Sequence, residues 1–402
     1  MAKNVVFVIH GVGAHQEGWA TADDGPVSTL VEAANAYPGF SEQDPLTNSL
    51  EFVEIRYDDI FDRVLGRWQG LAEGLADMPG ASPQAIAQVR DAIIEYGDTT
   101  ESFFTSHGMD VVFYAGFALV RRLVQLTVAT KIMKTVAEQG TKDRRYAVLA
   151  HSLGTAVAHD AIHRMASTQW LSRYVKSGAR VLPELADLPD DPSAVDDLLK
   201  RYKSNPFGPG KFTFDGIFML ANTSALLHGD TPSPERSLVR PRLAQPDPEQ
   251  YMCSHFFNID HKLDPIGKVK RFRAEEAWPT PAMFGLATDL FSIDHIHDVN
   301  VHGFSHYLAH PLVHRELFRL MVKHRFSDED YVHAQERTRP GGDFPQLGDA
   351  YRDEDRQEEL VGKLEGIATH LGVSQKVESL VELYIALDAI YRELREEGQT
   401  HV

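Results

Sequence analysis

Apolar residues along the chain collect in six short runs that read as β-strands, at about 4–9, 51–57, 145–150, 213–221, 253–259 and 294–301. Between them lie irregular stretches and stretches with helical spacing, the latter at about 60–78, 84–96, 109–138, 153–167 and 312–324. This alternation predicts an α/β fold, a mostly parallel sheet of six or more strands flanked by helices on both faces. No repeat of solenoid period is present. Met109 to Met133 is the most apolar stretch, yet its longest charge-free run, Val111–Val120, stops at Arg121-Arg122. A membrane span needs about twenty such residues. The stretch therefore predicts a long core helix, with an interfacial or lid helix as the alternative, and no stable membrane span.

Two segments break the pattern. Residues 167–212 mix Trp170, Leu171 and Tyr174 with an acidic, proline-containing part, and 223–252 carry Pro232, Pro234, Pro241, Pro246 and Pro248. The second is predicted to be a long irregular loop. Both follow elements that lead away from the carboxyl edge of the sheet, where ligands bind in open α/β sheets. They are expected to be lid-like insertions that choose the substrate. After Arg325 the character changes. Residues 1–325 read as the main domain, 326–354 as a charged linker, and 355–402 as a helical extension with segments at about 355–370 and 374–396. Val377, Leu380, Val381, Tyr384, Leu387, Tyr391 and Leu394 recur at helical spacing in the second segment. That stripe suits packing on the main domain or, alternatively, a homodimer.

Composition narrows the partners. With 402 residues, 43% of them hydrophobic, the chain can bury a large core. A formal charge of −18 argues against nucleic acid, whose phosphates need concentrated Lys and Arg, and against docking on anionic membranes. The single cysteine, Cys253, can form neither an internal disulfide nor a thiolate cage. The chain enters a strand at once, without a basic segment, apolar core and cleavage site, so a cytoplasmic location is expected.

The chemistry centres on Ala150-His151-Ser152-Leu153-Gly154, directly after the apolar run Tyr146-Ala147-Val148-Leu149 and directly before a helical pattern. A serine between small residues at a strand-to-helix junction matches a nucleophile elbow, a strained turn that lifts the hydroxyl off the sheet. Upstream, Asn4-Val5-Val6-Phe7-Val8-Ile9 breaks into His10-Gly11-Val12-Gly13. A strand ending in His-Gly, followed later by small-His-Ser-x-Gly, resembles the α/β-hydrolase superfamily and its lipases and esterases in particular. Ala150 stands where glycine is commoner. The resemblance implies an oxyanion hole made by the amides of Val12 and Leu153, with His10 and Gly11 supporting the turn.

It also implies the chain order serine, acid, histidine. The acid should follow the fifth strand, where Asp264 precedes Pro265 in a turn; Asp260 is the alternative. The histidine should follow the sixth strand. His306, in Ser305-His306-Tyr307 ahead of Pro311, is the expected base, and His302, nearer the strand, the alternative. His302, His306, His310 and His314 recur every four residues, but Gly303 and Pro311 oppose one continuous helix across them. His159 and His163 have helical zinc spacing without a glutamate between them. No metal and no cofactor is expected. The implied activity is hydrolysis of a small-molecule or lipid-like carboxylic ester through an acyl-enzyme. Amide, thioester or phospholipid acyl hydrolysis would use the same groups, and a catalytically silent binding or scaffold module is the alternative of another kind.

Overall fold

The structure is a computed structural model, and it describes residues 3–13, 15–41, 45–61, 110, 114, 118–166, 212–227, 237–239, 251–262, 264, 271–273, 287–294, 302–322 and 327–337. Its strands are β1 (Asn4–Ile9), β2 (Leu50–Ile55), β3 (Tyr146–His151), β4 (Phe214–Leu220), β5 (Ser237–Val239), β6 (Tyr251–His261) and β7 (Thr288–Ile293). Its helices are α1 (Pro26–Ala34), α2 (Leu46–Ser49), α3 (Ala118–Gln139), α4 (Leu153–Ala166), α5 (Ser224–Leu227), α6 (Phe304–Leu308), α7 (Pro311–Met321) and α8 (Asp328–Arg337). A 3-10 turn spans Trp19–Thr21.

All seven strands are parallel, in the order β2-β1-β3-β4-β6, with β5 and β7 sharing the outer edge of β6. β5 lies beside Tyr251 and Cys253, and β7 beside Phe256 to His261. The fold is thus α/β. Every residue of β1 and β3 is buried, because a parallel sheet is covered on both faces. Side chains alternate between two apolar layers. Val5, Phe7, Ile9, Val148 and Ala150 pack with Val124, Val128 and Ile132 of α3 and with Ala156, Val157 and Ala161 of α4. Val6, Val8, Ala147 and Leu149 pack with Leu30 of α1 and with Val313, Leu317 and Phe318 of α7. Cys253 is fully buried in β6, where burial raises its thiol pKa and keeps it a small apolar filler.

The carboxyl ends of four strands are joined in a row. Ser152 N donates to Leu220 O at 3.0 Å, Ala221 N to Ile259 O at 3.0 Å, and Lys262 N to Ile293 O at 2.7 Å. Each bond carries the ladder one residue beyond its strand, exactly where the chain must turn away.

Several elements differ from the sequence reading. Among the described residues the last strand is Thr288–Ile293; Asp294 follows it, and the rest of the strand expected at 294–301 lies outside the described residues. β7 is an edge strand buried on one side only, with Leu290 67% exposed, so it lacks the dense apolar run that marks β1 and β3. The 223–252 segment is not wholly irregular, since it contains α5 and β5. Its prolines fall outside Ser237–Val239, leaving those amides able to pair. Within the predicted linker, α8 is helical and buries Ala334 in the α7 layer. Core helix α3 begins at Ala118, with Asp110 and Tyr114 before it also helical. Segments 62–109 and 167–211 and the extension 355–402 lie outside the described residues. Among the described residues, no helix is long and apolar enough to cross a membrane.

Candidate active site

Ser152 sits between β3 and α4 with φ 52°, in the left-handed region that a β-carbon makes costly. Surrounding bonds hold it there. Its carbonyl accepts Thr155 N at 2.9 Å, Thr155 Oγ1 at 2.6 Å and Thr223 Oγ1 at 2.9 Å. Two glycines are forced by crowding. A β-carbon on Gly154 would lie 2.1 Å from His10 O, and one on Gly11 would lie 2.9 Å from Ser152 Cβ. Ala150 needs no such freedom, because its methyl is buried in the apolar layer under α4.

Asp264 follows β6 and His302 precedes Gly303, the N-cap of α6. His302 bridges the other two groups: Nδ1 lies 2.7 Å from Asp264 Oδ2 and Nε2 lies 2.9 Å from Ser152 Oγ. A carboxylate can only accept, so Nδ1 carries the proton and Nε2 is free to accept from the serine hydroxyl. Asp264 is fully buried, and its Oδ2 also accepts the Tyr307 hydroxyl at 2.6 Å. That hydroxyl in turn accepts His261 N at 3.2 Å. His151 Nε2 donates to the His302 carbonyl at 2.6 Å, and its ring stacks on Phe304 at 5.0 Å. Burial, and after it the neighbouring His302, hold the His151 pKa well below its ordinary value, so this ring stays neutral.

The expected base is therefore corrected. His306 is not the histidine beside Ser152. It lies inside α6 and not in the preceding loop, with its buried ring edge-on to His261 at 4.8 Å. The alternative acid is also set apart: His302 donates to Asp264, whereas Asp260, on β6, accepts from Asn258 Nδ2 at 3.1 Å. Val12 lies half-buried in the turn after β1, next to Gly11, which packs on Ser152, and Leu153 opens α4 directly after Ser152. His10, Gly11, Asp264 and Ser152 are all buried around the same carboxyl edge.

Asp260 carries its own consequence. Burial, and after it the charge of Asp264, push its carboxyl up to about 6 from 3.8. Between those values the folded protein retains a proton that the unfolded chain releases, so stability falls as pH rises through the window. Asp260→Asn should raise the urea midpoint at pH 8 and leave it unchanged at pH 3. An equal shift at both values would show that Asp260 is not titrating there.

The histidine array from 302 to 314 shares no helical face. His302 precedes α6, His306 lies within it, His310 caps α7 by accepting Leu312 N at 3.2 Å, and His314 stacks on Phe318. Among the described residues, His10, His15 and Asp58 form the one cluster with metal-ligand atoms in reach. Its geometry is poor for an ion. The two rings stack at 4.0 Å and 23°, so their in-plane lone pairs run side by side and do not converge. His10 Nε2 already accepts Tyr57 N at 3.3 Å, and Asp58 accepts the His15 amide. Burial, and after it His15, hold the His10 pKa down to about 3, so the ring is neutral and its Nδ1–H donates to Gly11 O at 2.7 Å.

Sequence reasoning missed Tyr57, Asp110, Thr155, Thr223, His151 and Tyr307 as partners of the site. Tyr307 and Thr155 stand within five residues of His302 and Ser152 and could have been flagged. Tyr57 and Asp110 carry no local signal. Comparison of the chain with models of known protein families, with curated proteins and with solved structures finds no match. The site geometry must carry the functional argument alone.

Proposed function

We propose that the protein is a serine hydrolase of the α/β-hydrolase type that cleaves a carboxylic ester through an acyl-enzyme. The observation that carries this reading is His302, set 2.9 Å from Ser152 Oγ and 2.7 Å from a fully buried Asp264. A serine hydroxyl is a weak nucleophile until a base takes its proton, and that base needs an acid to fix its tautomer. Here both needs are met.

In the first half-reaction Ser152 Oγ attacks the ester carbonyl while its proton passes to His302 Nε2. The tetrahedral intermediate collapses, His302 returns the proton to the leaving alkoxide, and the alcohol departs. Water then attacks the acyl-enzyme, again giving its proton to Nε2, and Ser152 leaves with that proton as the carboxylic acid is released. Asp264 holds the Nδ1 side of the ring and stabilises the imidazolium, with the Tyr307 hydroxyl donating to the same carboxylate oxygen. The Val12 and Leu153 amides are the donors for the oxyanion. Leu153 is the first residue of α4, whose leading N–H groups have no partner within the helix and lie at its positive end. Small-molecule and lipid-like esters both suit this chemistry; amides, thioesters and phospholipid acyl bonds follow the same proton path.

A fluorophosphonate tests the reading without assuming a substrate. Incubated with the intact protein and mapped by mass spectrometry, it should give one adduct, on Ser152, and that adduct should be lost in Ser152→Ala. A folded protein that takes up no probe would overturn the proposal. Ester, thioester and amide panels of increasing chain length then assign the substrate class.

A further inference from the structure

The turn after β1 is gripped from outside the Ser152–His302–Asp264 chain. The Tyr57 hydroxyl shares its one proton between the His10 carbonyl at 2.8 Å and the Gly11 carbonyl at 3.1 Å. The Gly11 carbonyl also receives His10 Nδ1–H. At the other end of the turn, Gly13 N donates to Asp110 Oδ2 at 3.0 Å. Tyr57 is fully buried just past β2 and stacks on the His10 ring at 4.2 Å. Burial, and after it the charges of Asp110 and Asp58, raise its phenol pKa well above the usual value, so the hydroxyl keeps its proton and remains a donor.

The Gly11 carbonyl and the Val12 N–H belong to one trans peptide and point in opposite directions. Fixing the carbonyl with two donors therefore fixes where the Val12 amide aims. The fixed peptide adjoins the nucleophile, because Gly11 packs so closely that a β-carbon there would meet Ser152 Cβ. We infer that Tyr57 is a positioning residue that aims the Val12 amide at the oxyanion formed on Ser152, with Asp110 anchoring the far end of the same turn. This inference rests on the hydrolase reading above. Tyr57 acts through the peptide and needs no contact with substrate.

The test uses the full chain, p-nitrophenyl acetate as substrate and phenylboronic acid as a tetrahedral mimic. Tyr57→Phe keeps the ring stack and removes only the donor. It should lower kcat about tenfold, leave KM within about twofold, and weaken phenylboronic acid about tenfold, because a misaimed donor is felt where the oxyanion forms. Asp110→Ala should show the same split and decides the matter if Tyr57→Phe does not fold. Should the acetate prove a non-substrate, the rate of fluorophosphonate labelling replaces kcat, with the same expected loss. A folded Tyr57→Phe protein with unchanged kcat and boronate affinity, or with a change in KM alone, overturns the inference and leaves the hydrolase reading standing. A parent protein that the fluorophosphonate does not label overturns the hydrolase reading, and this inference falls with it.

Discussion

His302→Ala should lower kcat/KM for an ester by about 10,000-fold or more, while His306→Ala should retain activity within about tenfold. The two residues stand four apart, are both buried, and flank the same strand edge. Only His302 has one ring nitrogen on the serine and the other on a buried carboxylate. Removing it takes away the imidazole that stands between Ser152 and Asp264. Removing His306 takes away a ring packed against His261, a structural loss within α6. Fluorophosphonate labelling should follow the same division, absent in the first variant and present in the second. The reverse result would show that the bridging geometry does not carry the proposed reaction.

Gly154→Ala should cost about 3 kcal/mol or more and abolish labelling at Ser152, because overpacking against rigid backbone is among the most destabilising of small changes. The added β-carbon would lie 2.1 Å from His10 O and 2.8 Å from Ile9 O, far inside any real contact. Neither obstacle is a side chain that could swing away. Both belong to the exit of β1, which is paired on one side with β2 and on the other with β3. Either α4 rides up from the sheet or the turn carrying Val12 is pushed aside. Urea unfolding measures the first outcome and fluorophosphonate uptake the second. A variant with an unchanged midpoint and normal labelling would mean that the helix and strand are not as close as described.

What the sequence made legible follows from burial. β1 and β3 are covered on both faces, so their residues are continuously apolar and stand out. The elbow is legible because crowding at Gly154 and the strain at Ser152 restrict which residues fit. Asp264, singled out beside Pro265, is the carboxylate that the structure sets against His302. The choice between His302 and His306 failed because it turns on where a helix starts: Gly303 as N-cap puts one residue before α6 and the other within it. β7 did not stand out in the sequence because an edge strand can afford polar residues. Tyr57 and Asp110 could not be read at all, since 47 and 97 residues separate them from the groups they hold. The pairing of β2 with β1 brings Tyr57 to the turn, and Asp110 arrives from the chain ahead of α3.

The row of bonds joining the exits of β3, β4, β6 and β7 acts as a ruler. Ser152 leaves the first of these strands and Asp264 follows the third, so their separation is set by two inter-strand steps, about 10 Å in all. The Ser152 and Asp264 side chains narrow that gap, and one imidazole with a hydrogen bond of 2.9 Å at one end and 2.7 Å at the other closes it. The measure is made of peptide groups, which every sequence possesses, and not of side chains. Side chains elsewhere can therefore change wholesale without altering the distance that separates Ser152 from Asp264, provided the few positions that let the backbone turn and touch, Gly11, Ser152 and Gly154, are kept.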